Sequence, residues 1–141
     1  MYRLLPRLTL ISLLLLPATQ ANAETENPLL ISADDRCAFE RVDNESLPLA
    51  IDTCLGAAAD GDMKAQYELG QLYYSGDRVE QNYDTALQWL EQASIQGEPR
   101  AQYRLGMMHF KGEGVRRNLP QAYIILKMAS INGHDAAMDS A

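Results

Sequence analysis

Along positions 62–133 the apolar residues recur at helical spacing in four stretches, each closed by a polar turn, a pattern that predicts two helical hairpins. In the first stretch Ala65, Leu69 and Leu72 share one face, and Ser75-Gly76-Asp77 stops the run. Asn82 marks the start of a second helix, because a side-chain oxygen there can accept from the unpaired N–H groups of the first turn. Ala86, Leu90 and Ala93 form its inner stripe, and Gly97 ends it by taking left-handed backbone at no steric cost. The next two stretches repeat this order, with Asn118 at the cap and Pro120 in the first turn, where a missing N–H removes no helical bond.

Positions 62–97 align without a gap on positions 98–133, and fourteen of the thirty-six pairs are identical, among them Tyr67/Tyr103, Gly70/Gly106, Asn82/Asn118 and Leu90/Leu126. Chance would give about two, so the chain is built from a repeated unit. Glycine inside a helix costs about 1 kcal/mol relative to alanine, so its recurrence at Gly70 and Gly106 implies a neighbouring helix lying close to bare backbone. The register extends upstream: Ser46-Leu47-Pro48 lies two periods before Asn118-Leu119-Pro120, Ala50 matches Ala86, Cys54 takes the place of Leu90, Ala57 that of Ala93, and Gly61 that of Gly97. A third second-helix is expected there, its partner drawn from residues 29–39, where Leu29, Ala33 and Cys37 share a face. The chain thus divides into a leader (1–23), a degenerate unit (24–61), two repeats (62–97 and 98–133) and a truncated tail (134–141).

The leader has basic Arg3 and Arg7, an apolar run of nine residues from Leu8 to Leu16, then Pro17 and Ala21-Asn22-Ala23. This is the layout of a secretory signal peptide cleaved after Ala23, since a spanning helix needs about 20 apolar residues. No cysteine follows the cleavage box to carry a lipid, so no membrane attachment is expected and the mature chain is expected to be periplasmic or secreted. Loss of Arg3 and Arg7 with no acid takes the formal charge from -7 to -9 over the remaining 118 residues (141 less 23). Phosphate binding needs clustered cations, whereas ten are scattered here among nineteen acids, so nucleic acid is not an expected partner.

Cys37 and Cys54 would meet an oxidising compartment, which makes a disulfide the first expectation. The loop it closes is worth about 3 kcal/mol in the chain-entropy model. A metal site is the alternative, weakened by the lack of a CxxC pair and by the distance in sequence to His109 and His134. No cofactor is expected.

Ala65-Gln66-Tyr67-Glu68-Leu69-Gly70, followed by Leu72-Tyr73, Gly76, Val79, Asn82-Tyr83-Asp84, Ala86-Leu87, Trp89 and Ala93, resembles the Sel-one-like repeat (SLR) family. Ala101-Gln102-Tyr103-Arg104-Leu105-Gly106, with Gly112-Glu113-Gly114-Val115, is similar to it again. The resemblance spans positions 46–133, two full repeats and a recognisable half. It implies an all-α fold, a short right-handed α-solenoid of antiparallel helix pairs like the tetratricopeptide superhelix. It also implies a role as a protein-binding adaptor, in bacteria often exported. Cysteine-rich exported members carry a disulfide in each repeat, and some have been linked to β-lactam binding or hydrolysis. The alternative implied is a weak β-lactam or peptidoglycan hydrolase, although here cysteines occur only in the degenerate unit.

In solenoids of paired helices the first helices line the concave face. By similarity with tetratricopeptide units, that face would show Lys64, Tyr67, Gln71 and Tyr74 from one repeat and Arg100, Tyr103, Met107 and Phe110 from the next. Aromatic residues, Met and Arg are enriched at protein contacts, although Tyr67 and Tyr103 are also repeat positions suited to packing between units. Trp89, beside the inner stripe, reads as core; His109, in the place of Tyr73, reads as packed. No nucleophile with a positioned base is evident, so an enzyme is not expected. Repeat arrays need about three units, because each buries its apolar side against a neighbour. Ile124, Ile125 and Met128 belong to the last full helix, so this end is expected to be covered by a partner or by a second copy of the chain.

Overall fold

The computed structural model describes residues 37–133. After a short 3-10 turn at Phe39–Arg41 come α1 (Leu47–Ala59), α2 (Met63–Ser75), α3 (Tyr83–Ile95), α4 (Pro99–Lys111) and α5 (Leu119–Ile131), with no strand among the described residues. Leu47, Tyr83 and Leu119 open α1, α3 and α5 at equal intervals, so the period seen in the sequence is also the period of the helices. Each helix packs on the one that follows it, and the first helices of successive hairpins, α2 and α4, also touch. The result is an all-α repeat fold of stacked helix pairs.

Side chains cap every helix of the two hairpins. Asp62 accepts from the Ala65 N–H at 2.8 Å, Asn82 from Thr85 at 3.0 Å, Glu98 from Arg100 at 3.2 Å and Asn118 from Gln121 at 3.1 Å. Such a cap contributes about 1 kcal/mol by satisfying an N–H that the helix leaves unpaired. At the other end, α2 and α4 stop on Gly76 and Gly112, whose φ of 67° and 78° lies in the left-handed region. The Asn82 and Asn118 N–H groups then donate back to the Tyr73 and His109 carbonyls at 2.9 and 3.0 Å, which closes each hairpin.

The inner stripes are buried as their spacing predicts: Ala65, Leu69 and Leu72 on α2, Ala86, Leu90 and Ala93 on α3, with their counterparts on α4 and α5. The repeated glycine has the expected reason. A Cβ on Gly70 would stand 2.6 Å from Leu90 Cγ, and one on Gly106 2.8 Å from Leu126 Cγ. Trading that methyl for contact lets a leucine bury completely, worth about 1.5–3 kcal/mol.

A second device sits beside this core. Gln66, buried in α2, donates to the Ala58 carbonyl at the end of α1 at 3.0 Å and accepts from Gln96 at 2.7 Å. Gln102 does the same one period later, donating to the Ser94 carbonyl at 3.0 Å and accepting from Asn132 at 2.8 Å. Carbonyls of a last helical turn have no partner within the helix, so a buried amide aimed at them avoids a cost of about 1–3 kcal/mol.

The first unit is held differently. A disulfide joins Cys37 to Cys54 with Cα atoms 5.3 Å apart, both cysteines buried, which leaves neither thiol for a metal. Arg78, in the turn between α2 and α3, donates to the Phe39 carbonyl and, at 3.0 Å, to Asn44 Oδ1. Where the expected partner helix of this unit enters the described residues, at Cys37–Phe39, the chain is instead a turn running into the 3-10 segment, pinned by the disulfide and by burial of Phe39. The rest of that helix, the signal peptide, His134 and residues 134–141 lie outside the described residues. No helix among the described residues is long and apolar enough to cross a membrane.

Candidate functional site

Because α2 and α4 lie side by side, residues seven apart on one meet residues one turn apart on the other. Arg100, in the first turn of α4, holds its guanidinium 4.1 Å from the centre of the Tyr67 ring. Its Nε donates to Glu98 Oε1 at 2.8 Å, and its Nη1 lies 3.5 Å from Glu68 Oε1. One turn on, Arg104 stands 4.4 Å from the centre of the Tyr74 ring and donates to Gln71 Oε1 at 3.0 Å. The Tyr74 hydroxyl donates to Glu113 at 2.8 Å, and its ring centre lies 5.7 Å from that of Tyr83. Each cation–aromatic contact contributes about 0.5–1 kcal/mol at an exposed site, and together with the hydrogen bonds they favour one arrangement of the row.

Partial burial sets the electrostatics of this face. Burial pushes the Glu68 carboxyl above its usual range, against the pull of Arg100. Burial likewise raises the Tyr67 phenol, and burial together with the bond to Glu113 raises that of Tyr74. For Arg100, burial alone would lower the pKa, but the hydrogen bond and charge of Glu98, with Tyr67 and Glu68, outweigh it and hold the cation.

The eight residues expected on the concave face fall into three places. Tyr67, Gln71, Tyr74 and Arg100 come together at the α2–α4 junction, half-buried in the stacks just described. Lys64 lies at the leading edge, lining a cleft of about 240 Å³ with Cys37, Glu40, Arg41, Glu68 and Arg100. Tyr103, Met107 and Phe110 stand one period after Tyr67, Gln71 and Tyr74; the first two are half-buried and Phe110 is 45% exposed. Arg117 reaches back to Phe110, donating to its carbonyl at 3.0 Å with the guanidinium 5.7 Å from the ring centre. Sequence reasoning missed Arg104, Glu68, Glu98 and Glu113. The signal for Arg104 was there, since Arg100 and Arg104 are one turn apart opposite Tyr67 and Tyr74.

Trp89 is partly buried and packs on the cluster formed by α1 and α2, as a core residue does. His109 is half-buried, with a buried Nδ1 that makes no hydrogen bond. Among the described residues no group of three His, Cys, Asp or Glu side chains is placed to hold a metal ion. On the last helix the expectation needs correction: Ile124 and Met128 are exposed, but Ile125 is buried against the α3–α4 core, and the larger surprise is exposure of Leu119 and Tyr123.

The Sel1 repeat profile matches residues 64–98 and 99–134. Among solved structures the chain is similar to a protective antigen of uropathogenic Escherichia coli displaying an SLR fold, at 34% identity and a TM-score of 0.62, covering 64% of this chain and 20% of that one. It is similar also to a Sel1 repeat protein from Oxalobacter formigenes, at 28% identity and a TM-score of 0.61, covering 64% of this chain and 37% of the other. Helicobacter pylori cysteine rich protein B shares the fold, at 19% identity and a TM-score of 0.66, covering 77% of this chain and 80% of that one. The chain therefore spans well under half the length of the first two of these proteins. No curated protein gives a match.

Proposed function

Because the chain belongs to the Sel1 repeat family, whose members are in general protein–protein interaction modules and typically non-catalytic scaffolds, we propose that it is an exported adaptor holding a partner protein along its first-helix face. The observation that carries this reading is the row of Arg–Tyr stacks crossing from α2 to α4, flanked by Lys64 before it and by Tyr103, Met107 and Phe110 after it. Ordering a long side chain at an interface costs about 0.5–1.5 kcal/mol, and a face whose arginines are already stacked and hydrogen-bonded avoids much of that cost. An extended segment or a helix of the partner fits such a row.

Export is supported by the disulfide, a bond that persists in oxidising compartments, and by the signal-peptide layout of positions 1–23. In this reading residues 24–61 are the degenerate first unit, 62–97 and 98–133 the repeats, and 134–141 a tail.

The test is affinity capture from a periplasmic extract, comparing the parent with Gln71→Ala/Phe110→Ala. The double variant should lose the captured partner while its circular dichroism spectrum stays unchanged. Capture that persists in a folded variant rules out the first-helix face.

A further inference from the structure

The side of α4–α5 that faces away from α2–α3 repeats, in outline, the surface with which α2–α3 holds α4–α5. On α3, Tyr83 and Leu87 are covered by the α4–α5 turn so closely that a Cβ on Gly114 would lie 2.5 Å from Tyr83 Cβ and 3.2 Å from Leu87 Cδ1. Their counterparts on α5, Leu119 and Tyr123, are 47% and 52% exposed. On α2 the residues that receive Arg100 and Arg104 are Tyr67, Gln71 and Tyr74; their counterparts on α4 are Tyr103, Met107 and Phe110.

The chemistry of the two surfaces differs. Gln71 becomes Met107 and Tyr74 becomes Phe110, so polar anchors become apolar. Glu68, Glu80 and Glu91 become Arg104, Arg116 and Lys127. Positions 62–97 carry six acids and two basic residues, and positions 98–133 carry six basic residues and two acids, an inversion within a chain of net charge -7. The two exposed rings are each attended by a cation, Arg117 at 5.7 Å from Phe110 and Lys127 at 6.0 Å from Tyr123.

We propose that this surface docks an acidic amphipathic helix of a partner protein. The outline is the one that already receives a helical hairpin at the preceding joint, and an apolar strip rimmed by cations matches a helix whose apolar stripe is flanked by Glu or Asp. The inference rests on the protein-binding reading above and shares Phe110 with it, but its test turns on Leu119, Tyr123 and Lys127, which that reading does not use.

The test uses the full chain and two synthetic 20-residue helical peptides with the same leucine stripe, one flanked by Glu and the other by Lys. The Glu peptide should bind at least tenfold more tightly at low salt. Leu119→Ala/Tyr123→Ala should abolish that binding with the circular dichroism spectrum unchanged, and Arg117→Glu/Lys127→Glu should reverse the preference. Equal affinity for both peptides, no binding, or binding untouched by either double variant overturns the proposal. So does sedimentation that shows self-association abolished by Leu119→Ala/Tyr123→Ala, which would give the surface to a second copy. Failure here leaves capture through Gln71 and Phe110 standing, whereas peptide discrimination without that capture removes the first-helix reading alone.

Discussion

At the joint between α3 and α4, the Glu98 N–H donates to the Ala93 carbonyl at 3.0 Å, Gln102 closes the end of α3, and two arginines cross to the aromatic rings of α2. At the joint between α1 and α2 the backbone return recurs, Asp62 N–H to Ala57 at 3.0 Å, and so does the amide, Gln66 to Ala58. The crossing arginines do not: the disulfide and Arg78 stand there instead. Elements that belong to a helix and its turn therefore recur at the joint between α1 and α2, while the described residues there show a covalent link and one arginine in place of the crossing stacks.

The largest expected effect tests that replacement. Cys37→Ser/Cys54→Ser should cost about 3 kcal/mol, because the unfolded chain regains the freedom of the closed loop. Hydrogen exchange should show the loss concentrated in α1, with α4 and α5 still protected, as repeat arrays open unit by unit. Uniform loss of protection would show that the two joints are one cooperative structure and end the contrast.

Next in size come the glycines, which both hairpins share. Gly70→Ala and Gly106→Ala each push a methyl into a leucine, at 2.6 and 2.8 Å, and overpacking of this kind costs about 1–3 kcal/mol. Denaturant melts should show both variants destabilised, with Gly70→Ala the worse, because its methyl meets Leu90 more closely and the α2–α3 hairpin is held between α1 and α4. A stabilised Gly106→Ala would mean that helix propensity outweighs the clash there.

The stacks themselves should matter less. Arg104→Ala removes the contact with Tyr74 and the bond to Gln71, together about 1 kcal/mol, a fall of about 4–8 °C in Tm for a domain of this size. No change in Tm would mean that this row is a surface ornament and that the α3–α4 joint depends on its core and amides alone.

What the sequence made legible follows the same division. Caps at Asn82 and Asn118, the stops at Gly76 and Gly112 and the close approach at Gly70 and Gly106 are properties of single positions, so repetition exposes them. The expectation that Cys54 lies inward at the place of Leu90 also follows from register, and both are fully buried. Gln66 and Gln102 were visible as identical positions, but their partners lie on the neighbouring second helices, which periodicity does not locate. The gathering of Tyr67, Gln71, Tyr74 and Arg100 into one stitched junction was hidden for a related reason. Tyr67 and Tyr103 are the same residue in the same register, and Arg100, which stacks on Tyr67, comes from the following hairpin, which the register of one unit does not orient.

The smallest effect concerns Glu68, which lines the cleft beside Glu40 and Arg41 and also reaches Arg100, and so belongs to both joints. Burial raises its carboxyl above the usual value of 4.5, with Arg100 pulling the other way. The folded protein then holds this proton more tightly than the unfolded chain does. Its contribution is most favourable at pH below 4.5 and is lost as pH rises through the raised folded value. Glu68→Gln cannot titrate, so its Tm relative to the parent should shift upward between acid and neutral pH, by less than the change expected for Arg104→Ala. A variant that melts lower than the parent at neutral pH would show that the pair with Arg100 outweighs burial. The joint between α2 and α4 would then draw on charge pairing as well as on stacking.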